Sequence, residues 1–424
     1  MAYNGMNGYA DLNTSSTTTT IDPLDDRRDP DWWHKWYTLR WGRHYGTFKQ
    51  GRYLLPCDDI ECDRLDIMHK FFLVVREYEI TAFRGLYTHR LPDRPRILDL
   101  GCGTGIWAID AADRLGGQGN YHIEGWDLNL TQPEAIPPSL YFYRRDIEEP
   151  WERVDVNSFD LIHMRTLNGS IEDWPRLYFQ AFRHLKPGSG LLEQVEIDWR
   201  PHSDGDPRPL ANSKLAEWSQ KVHQGFARAG RKLEMDPNTK AILEDIGFVD
   251  VEHKKIPIAF NPWPEDEHKK ETARWFNLGL TQGLDALTFE SVIHWLNYPE
   301  HEVRELLDRV KEDICKREWR TYCIFMWLGS RHCPVDEFEG LADTRDLLAG
   351  LTCIAANRPL ELQMLWGRLL RSTVASVFKS TLRLIGLACR MDSVANRERI
   401  NTNPHSLWLM EEVGPTCLNT FAAR

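Results

Sequence analysis

The chain has 424 residues, of which 42% are hydrophobic and 27% charged, and a formal net charge of −11. This is a globular profile, long enough for one large domain with additions or for two domains, and its acidic balance excludes broad charge-driven binding to nucleic acid. Nine cysteines without a C-x-x-C pair read as reduced thiols and predict no metal site, and no apolar run approaches the roughly 20 residues of a membrane span.

Residues 1–30 hold the pairs Asn4-Gly5 and Asn7-Gly8 and a serine-threonine tract from Thr14 to Thr20. Too little there is apolar to offset the entropy of ordering, which predicts a disordered tail. At residue 31 the composition becomes aromatic-rich, and residues 31–90 are expected to form an N-terminal helical cap. Trp32, Trp33, Trp36 and Trp41 either form a lid over a site or pack against the domain, and Tyr45 and Tyr53 are candidates to line a pocket. Ile60, Leu65, Ile67, Met68, Phe71, Phe72 and Val75 fall at mixed helical spacing, which predicts one or two helices across residues 58–79.

The string RILDLGCGTG at residues 96–105 is the centre around which the rest of the chain is organised. Ile97, Leu98 and Leu100 predict a buried strand, the alternating Gly101, Gly103 and Gly105 a tight turn, and residues 104–115 a helix closed by Gly116-Gly117. The G-x-G-x-G spacing departs from the G-x-G-x-x-G of dinucleotide sites, and Asp99 stands directly before the loop. A carboxylate there repels a diphosphate and attracts a cation. S-adenosylmethionine (SAM), with an ammonium, a sulfonium and no phosphate, suits such a turn. The string resembles motif I of the class I SAM-dependent methyltransferases, which makes Asp99, Gly101, Cys102, Gly103, Thr104 and Gly105 cofactor-binding candidates.

A second strand at residues 123–126 ends at Asp127, 22 residues after Gly105, where a nucleotide-binding βαβ unit places the acid that takes ribose hydroxyls. Asp127 and Leu128 join the candidates. A third strand at residues 140–144 leads into Asp146 and Ile147, where methyltransferases often use an acid and a backbone amide to read adenine. A fourth, at residues 159–163, brings His163, Arg165 and Asn168 to the C-terminal end at which open α/β sheets bind ligands. His163 is a cofactor-site candidate or a strand histidine satisfied by backbone. After a helix over residues 174–185, a strand at residues 190–197 carries Glu193 and Glu196, with Asp198 just beyond. Carboxylates are costly to bury unpaired, so at least one faces a cleft or a cation.

Helices over residues 212–230 and 237–245, an antiparallel strand pair at 248–253 and 255–260, and helical stretches at 265–287 and 299–317 account for the remainder up to residue 317. The fold class is α/β: a Rossmann-like, seven-stranded class I SAM-dependent methyltransferase fold. Its core occupies residues 91–260 and a C-terminal helical region residues 261–333. Residues 334–424 receive no function. Residues 341–424 carry net +3 against −14 for the rest, a break that a retained intron or a shifted reading frame would leave.

Four strings resemble the fungal LaeA family of methyltransferase-like regulators: YGTFKQGRYLLPCDDIECDRLDIMHK at 45–70, DLGCGTGIWAID at 99–110, EQVEID at 193–198 and NPWPEDEHKKETARWFNL at 261–278. The similarity covers about residues 45–330. It implies SAM contacts at Asp99, Gly101, Gly103, Gly105 and Asp127, and at Asp146. It also implies a nuclear protein, with the cytoplasm as a second location, that joins velvet-domain proteins and controls secondary metabolite gene clusters and development. The family's methyl acceptor transfers no catalytic base; Tyr45, His69, His163 and Glu196 are the candidates for that role.

Overall fold

The computed structural model describes residues 35–79, 91–117 and 119–333. They begin with a hairpin of β1 (Tyr37–Arg40) and β2 (Arg43–Gly46). Its two-residue turn, Trp41-Gly42, has φ of 50° and 79°. Positive φ at both turn positions matches the right-handed twist of paired strands. Asp58 fastens this hairpin to the next element. Its carboxylate accepts two bonds of 2.7 Å from the Arg43 guanidinium and one of 3.1 Å from the His44 N–H, and it caps α1 (Asp59–Glu79) at the Glu61 N–H. The helix is continuous, and it buries Met68, Phe71, Phe72 and Val75, the two phenylalanines lying against Phe325. The N-terminal cap expected to be helical thus opens with a hairpin, because a short strand pair announces itself only through its turn. The expected tail of residues 1–30, Trp32 and Trp33, and the extension at 334–424 all lie outside the described residues.

The core runs in the order β3 (Arg96–Leu100), α2 (Ile106–Arg114), β4 (His122–Asp127), β5 (Leu140–Arg144), β6 (Leu161–Arg165), α3 (Trp174–His184) and β7 (Leu191–Ser203). Then come α4 (Pro207–Ala211), α5 (Lys214–Arg228), α6 (Thr239–Ile246), β8 (Phe248–Ala259), α7 (Glu267–Thr288), a π-helix at Phe289–His294, α8 (Glu300–Asp313) and β9 (Thr321–His332). The sheet order is β5-β4-β3-β6-β7-β9-β8, with β9 antiparallel to both neighbours and the five strands from β5 to β7 parallel. The chain winds outward from β3 through β4 to β5, then returns to lay β6 on the other side of β3. That reversal opens a crevice at the C-terminal ends of β3 and β6, where such sheets take ligands.

The final antiparallel pair differs from the one expected. Residues 248–259 form one strand, with a register shift between Val249 and Glu252, and its partner is β9, in the segment read as C-terminal helical region. The charged His253-Lys254-Lys255 resembles a turn in sequence yet continues the strand on the sheet's outer edge. TYCIFMWLGSRH is largely buried between two neighbours, so it lacks the alternation that marks a half-exposed strand.

Two helix contacts depend on missing side chains. On α7, Gly279 and Gly283 let α1 approach so closely that an added Cβ would lie 2.4 Å from Met68 Sδ and 2.7 Å from Arg64 Cδ. On α5, a Cβ at Gly225 would lie 2.1 Å from the Ser291 carbonyl oxygen of the π-helix. Met68 can move, but a backbone carbonyl in a packed helix cannot. Gly225→Ala is therefore expected to lower stability by about 1–3 kcal/mol, outweighing the alanine's helix propensity. Thermal unfolding checks this: a transition temperature equal to or above wild type would refute the contact.

Candidate cofactor site

The turn after β3 is held from the neighbouring strand. Gly101 and Cys102 donate their N–H groups to the Trp126 carbonyl at 2.8 and 3.1 Å. Gly103 donates to Asp127 Oδ2 at 2.9 Å, and Asp127 Oδ1 accepts from the Asn129 N–H at 2.9 Å. Gly101 and Gly105 have φ of 67° and 77°, and a Cβ at either would lie 2.4 Å from Leu167 or Phe142. Such a turn needs glycine for both conformation and space.

A cavity opens at this point. Of the predicted cofactor residues, Gly101, Gly103, Asp127, Leu128, Asp146 and Ile147 line it. Asp146 Oδ1 accepts from the Glu148 N–H at 3.0 Å, and its Oδ2 lies 3.0 Å from Arg52 Nε. Arg52 also pairs with Glu148 at 3.1 Å, so the loop after β2 closes over the end of β5. Burial raises the Asp127 carboxyl above its usual range, against the opposing pull of three backbone N–H groups.

Cys102, Thr104 and Gly105 belong to the turn but not to the cavity wall. Cys102 is buried, receiving the Gln132 amide, the Thr104 hydroxyl donates to Asp66 at 2.7 Å, and Gly105 faces Phe142. Asp99 departs from the electrostatic role expected of it. Its carboxylate does not face the cavity: Oδ1 lies 2.8 Å from His163 Nδ1, and the His163 ring stacks on Trp107 at 3.7 Å. Burial pushes Asp99 up to about 7 and His163 well below its ordinary value, so neither is a fixed charge beneath the turn. The acids that face the cavity are Asp127, Asp146 and Glu148.

A second cavity shares Tyr53, Leu65, Arg165, Thr166 and Ser170 with the first. Glu196 lines this one, as does Asn168. Both Glu196 oxygens are engaged by donors: the Leu167 N–H and the Gln194 amide on Oε1, and the Asn168 N–H on Oε2. Glu196 is a clamp on the loop after β6, where Thr166 has φ of 53°. Tyr45, His69 and His163 line neither cavity. Tyr45 is buried beneath Arg40, whose guanidinium lies 4.5 Å from its ring. His69 Nδ1 accepts from Arg165 at 3.0 Å while its Nε2 lies 3.4 Å from Asp110. Arg52, Arg145 and Glu148 are the polar lining residues that sequence reasoning missed; the string QGRYLLP before α1 was the available signal for Arg52. Among the described residues no helix is long and apolar enough to cross a membrane, and no group of three His, Cys, Asp or Glu side chains could hold a metal.

The donor set fits SAM: a carboxylate at the end of β4 for a ribose, a glycine cradle beside it, and apolar Leu128, Ile147 and Ile171 for a flat base. Fold and turn together define the class I SAM-dependent methyltransferase architecture, with SAM as its cofactor. Residues 75–253 match the methyltransferase domain family. The secondary metabolism regulator LAE1 of Cochliobolus heterostrophus is 42% identical over 302 residues, covering 68% of this chain and 93% of that protein. The regulator laeA of Fusarium oxysporum f. sp. lycopersici is 41% identical over 297 residues, covering 69% and 92%. Among solved structures, phosphoethanolamine N-methyltransferase 2 of Haemonchus contortus in complex with SAM is 15% identical with a TM-score of 0.36, covering 63% of this chain and 52% of that one. The chain belongs to the LaeA/LAE1 family of secondary metabolism regulators.

The Asp99–His163 pair yields a pH signature. Burial holds a proton on Asp99 in the folded state below about pH 7, whereas an unfolded aspartate gives up its proton above about pH 4. Asp99→Asn removes the proton bound in the folded state alone. The variant's stability should then fall with decreasing pH by about 1.4 kcal/mol per unit more than wild type. Urea midpoints at pH 4.8 and 6.0 measure this, and parallel slopes for the two proteins would refute the assignment.

Proposed function

We propose that the protein is a SAM-dependent methyltransferase acting in the nucleus as a global regulator of secondary metabolite gene clusters and development, in complex with velvet-domain proteins. The names of the regulators it is similar to support the regulatory role. The nuclear location and the velvet partners rest on the likeness of the strings at 45–70 and 261–278 to the LaeA family. One observation carries the transferase reading: the cavity bounded by Gly101, Gly103 and Asp127 shares a wall with a second, largely apolar cavity.

When bound, SAM supplies a methyl group already activated on a sulfonium. Alignment and exclusion of water are what the chain must add. Tyr53 and Leu65, from the segment before and within α1, border both cavities and roof the shared wall. Glu196 holds the backbone of Leu167 and Asn168, and so positions the loop on the far side.

A second reading, a SAM-binding scaffold without turnover, is favoured by one observation: Tyr45, His69 and His163 line neither cavity, and Glu196, which lines the second, already accepts three hydrogen bonds. The two readings separate in one experiment. S-adenosylhomocysteine should bind the wild type, and Asp127→Ala should weaken that binding roughly 10- to 100-fold through loss of a charged hydrogen-bond acceptor. Radiolabelled SAM incubated with wild type and nuclear extract should label an acceptor, and Asp127→Ala should not. Normal binding by Asp127→Ala would refute the site; binding without any labelled product would favour the scaffold.

A further inference from the structure

We propose that the second cavity binds the methyl acceptor and that this acceptor is a small apolar organic acid, a carboxylate or an acidic enol or phenol, methylated on oxygen. The inference rests on the reading of the first cavity as the SAM site.

The second cavity opens beside the first, across the wall that holds Arg165 and Thr166. Met68, Phe72, Ile197, Trp199, Leu233 and Leu287 give it an apolar lining. Into this lining is set one polar group with nothing to bind. Asn168 is only 7% exposed, and both its side-chain Oδ1 and Nδ2 are buried without a hydrogen-bond partner. Buried amides in folded proteins are paired, so an orphaned one lining a cavity calls for a ligand that both donates and accepts, or that accepts from Nδ2.

The charge of the ligand is set by the guanidinium groups. Arg64 is satisfied by Glu61 through bonds of 2.8 and 2.6 Å. Arg165, which borders both cavities, makes no ion pair among the described residues; it donates to His69 Nδ1 and lies 4.7 Å over the Phe72 ring. A desolvated guanidinium with no carboxylate in contact, Asp99, Asp66 and Glu193 acting on it only from further off, favours an anionic partner. A lysine or arginine side chain would meet the opposite: the carboxylate lining the cavity, Glu196, has its oxygens taken by three donors, and burial raises it to about 7.

The engagement of the nearby basic groups points the same way: Glu196 already accepts three hydrogen bonds, and His69 lies outside the lining. The His69 lone pair at Nδ1 is occupied by Arg165. An acceptor that arrives as its anion needs no base. Its oxygen forms the new O–C bond to the methyl carbon as the C–S bond breaks, and the electron pair stays on sulfur. The products are a methyl ester or ether and S-adenosylhomocysteine, and no proton is transferred.

The test uses the full chain saturated with S-adenosylhomocysteine and two fluorescent probes of matched shape, 2-naphthoate and 2-naphthylmethylammonium. Naphthoate should bind saturably and at least tenfold more tightly than the ammonium. The near-isosteric Asn168→Asp should weaken naphthoate binding at least tenfold with S-adenosylhomocysteine affinity within threefold of wild type as evidence of folding; Arg165→Gln, at the wall shared with the first cavity, should weaken naphthoate binding at least tenfold with an unchanged thermal transition as evidence of folding. The wild-type comparison decides the matter even where a variant fails to fold. No saturable naphthoate binding, equal or tighter binding of the ammonium, or unaltered naphthoate binding in both folded variants would overturn the proposal. Failure of the wild type to bind S-adenosylhomocysteine would instead overturn the cofactor reading.

Discussion

The hydrogen bond from the Gly103 N–H to Asp127 Oδ2 joins the end of β4 to the turn after β3. With the Gly101 and Cys102 N–H groups bound to the Trp126 carbonyl, it fixes a left-handed loop against the next strand rather than leaving it to swing. The same side chain also lines the first cavity. One side chain thus shapes the cradle and presents its principal acceptor. Because both tasks fall on one group, the position tolerates little: an amide in its place would have to turn its NH2 toward either the Gly103 N–H or the cavity.

Electrostatically the two cavities are unlike, although they share a wall. The first is faced by Asp127, Asp146 and Glu148 together with Arg52, Arg145 and Arg165, the second by Arg64 and Arg165 with its one carboxylate, Glu196, already engaged. Arg165 sits on the boundary. The carboxylates gather on the cofactor side, and the other side holds a single engaged one.

How much could be read from the sequence depended on how local each feature is. The glycine turn, the acids at the ends of β4 and β5 and most of the parallel strands are encoded within a few residues of themselves, by an apolar run, a glycine or a spacing. Asp99 was legible as an acid before the loop but not as a buried partner of His163, because their pairing spans 64 residues and depends on the register of β3 against β6. Glu196 was recognised as an acid needing a partner, whereas the partners, two backbone N–H groups from a loop 28 and 29 residues earlier, have no side-chain signature. The orphaned amide of Asn168 is legible only in three dimensions. The place of Asn168 beyond β6 was evident, but the lack of a partner is a property of everything around it.

The strand β9 fills a slot between β7 and β8, yet it is the last sheet element of the described chain to be synthesised. Until residues 321–332 have left the ribosome, β7 and β8 have no common neighbour, and each exposes a row of unpaired backbone groups along 12 or 13 residues. The nucleotide-binding half from β3 to β6 can form while translation proceeds, but the second half waits for one strand. Sheet closure is therefore a late, long-range step, and the nascent chain carries two open edges through the whole synthesis of α7 and α8. That interval is where a chaperone would have most to do, and where a premature stop would leave a sticky half-sheet rather than a smaller working domain.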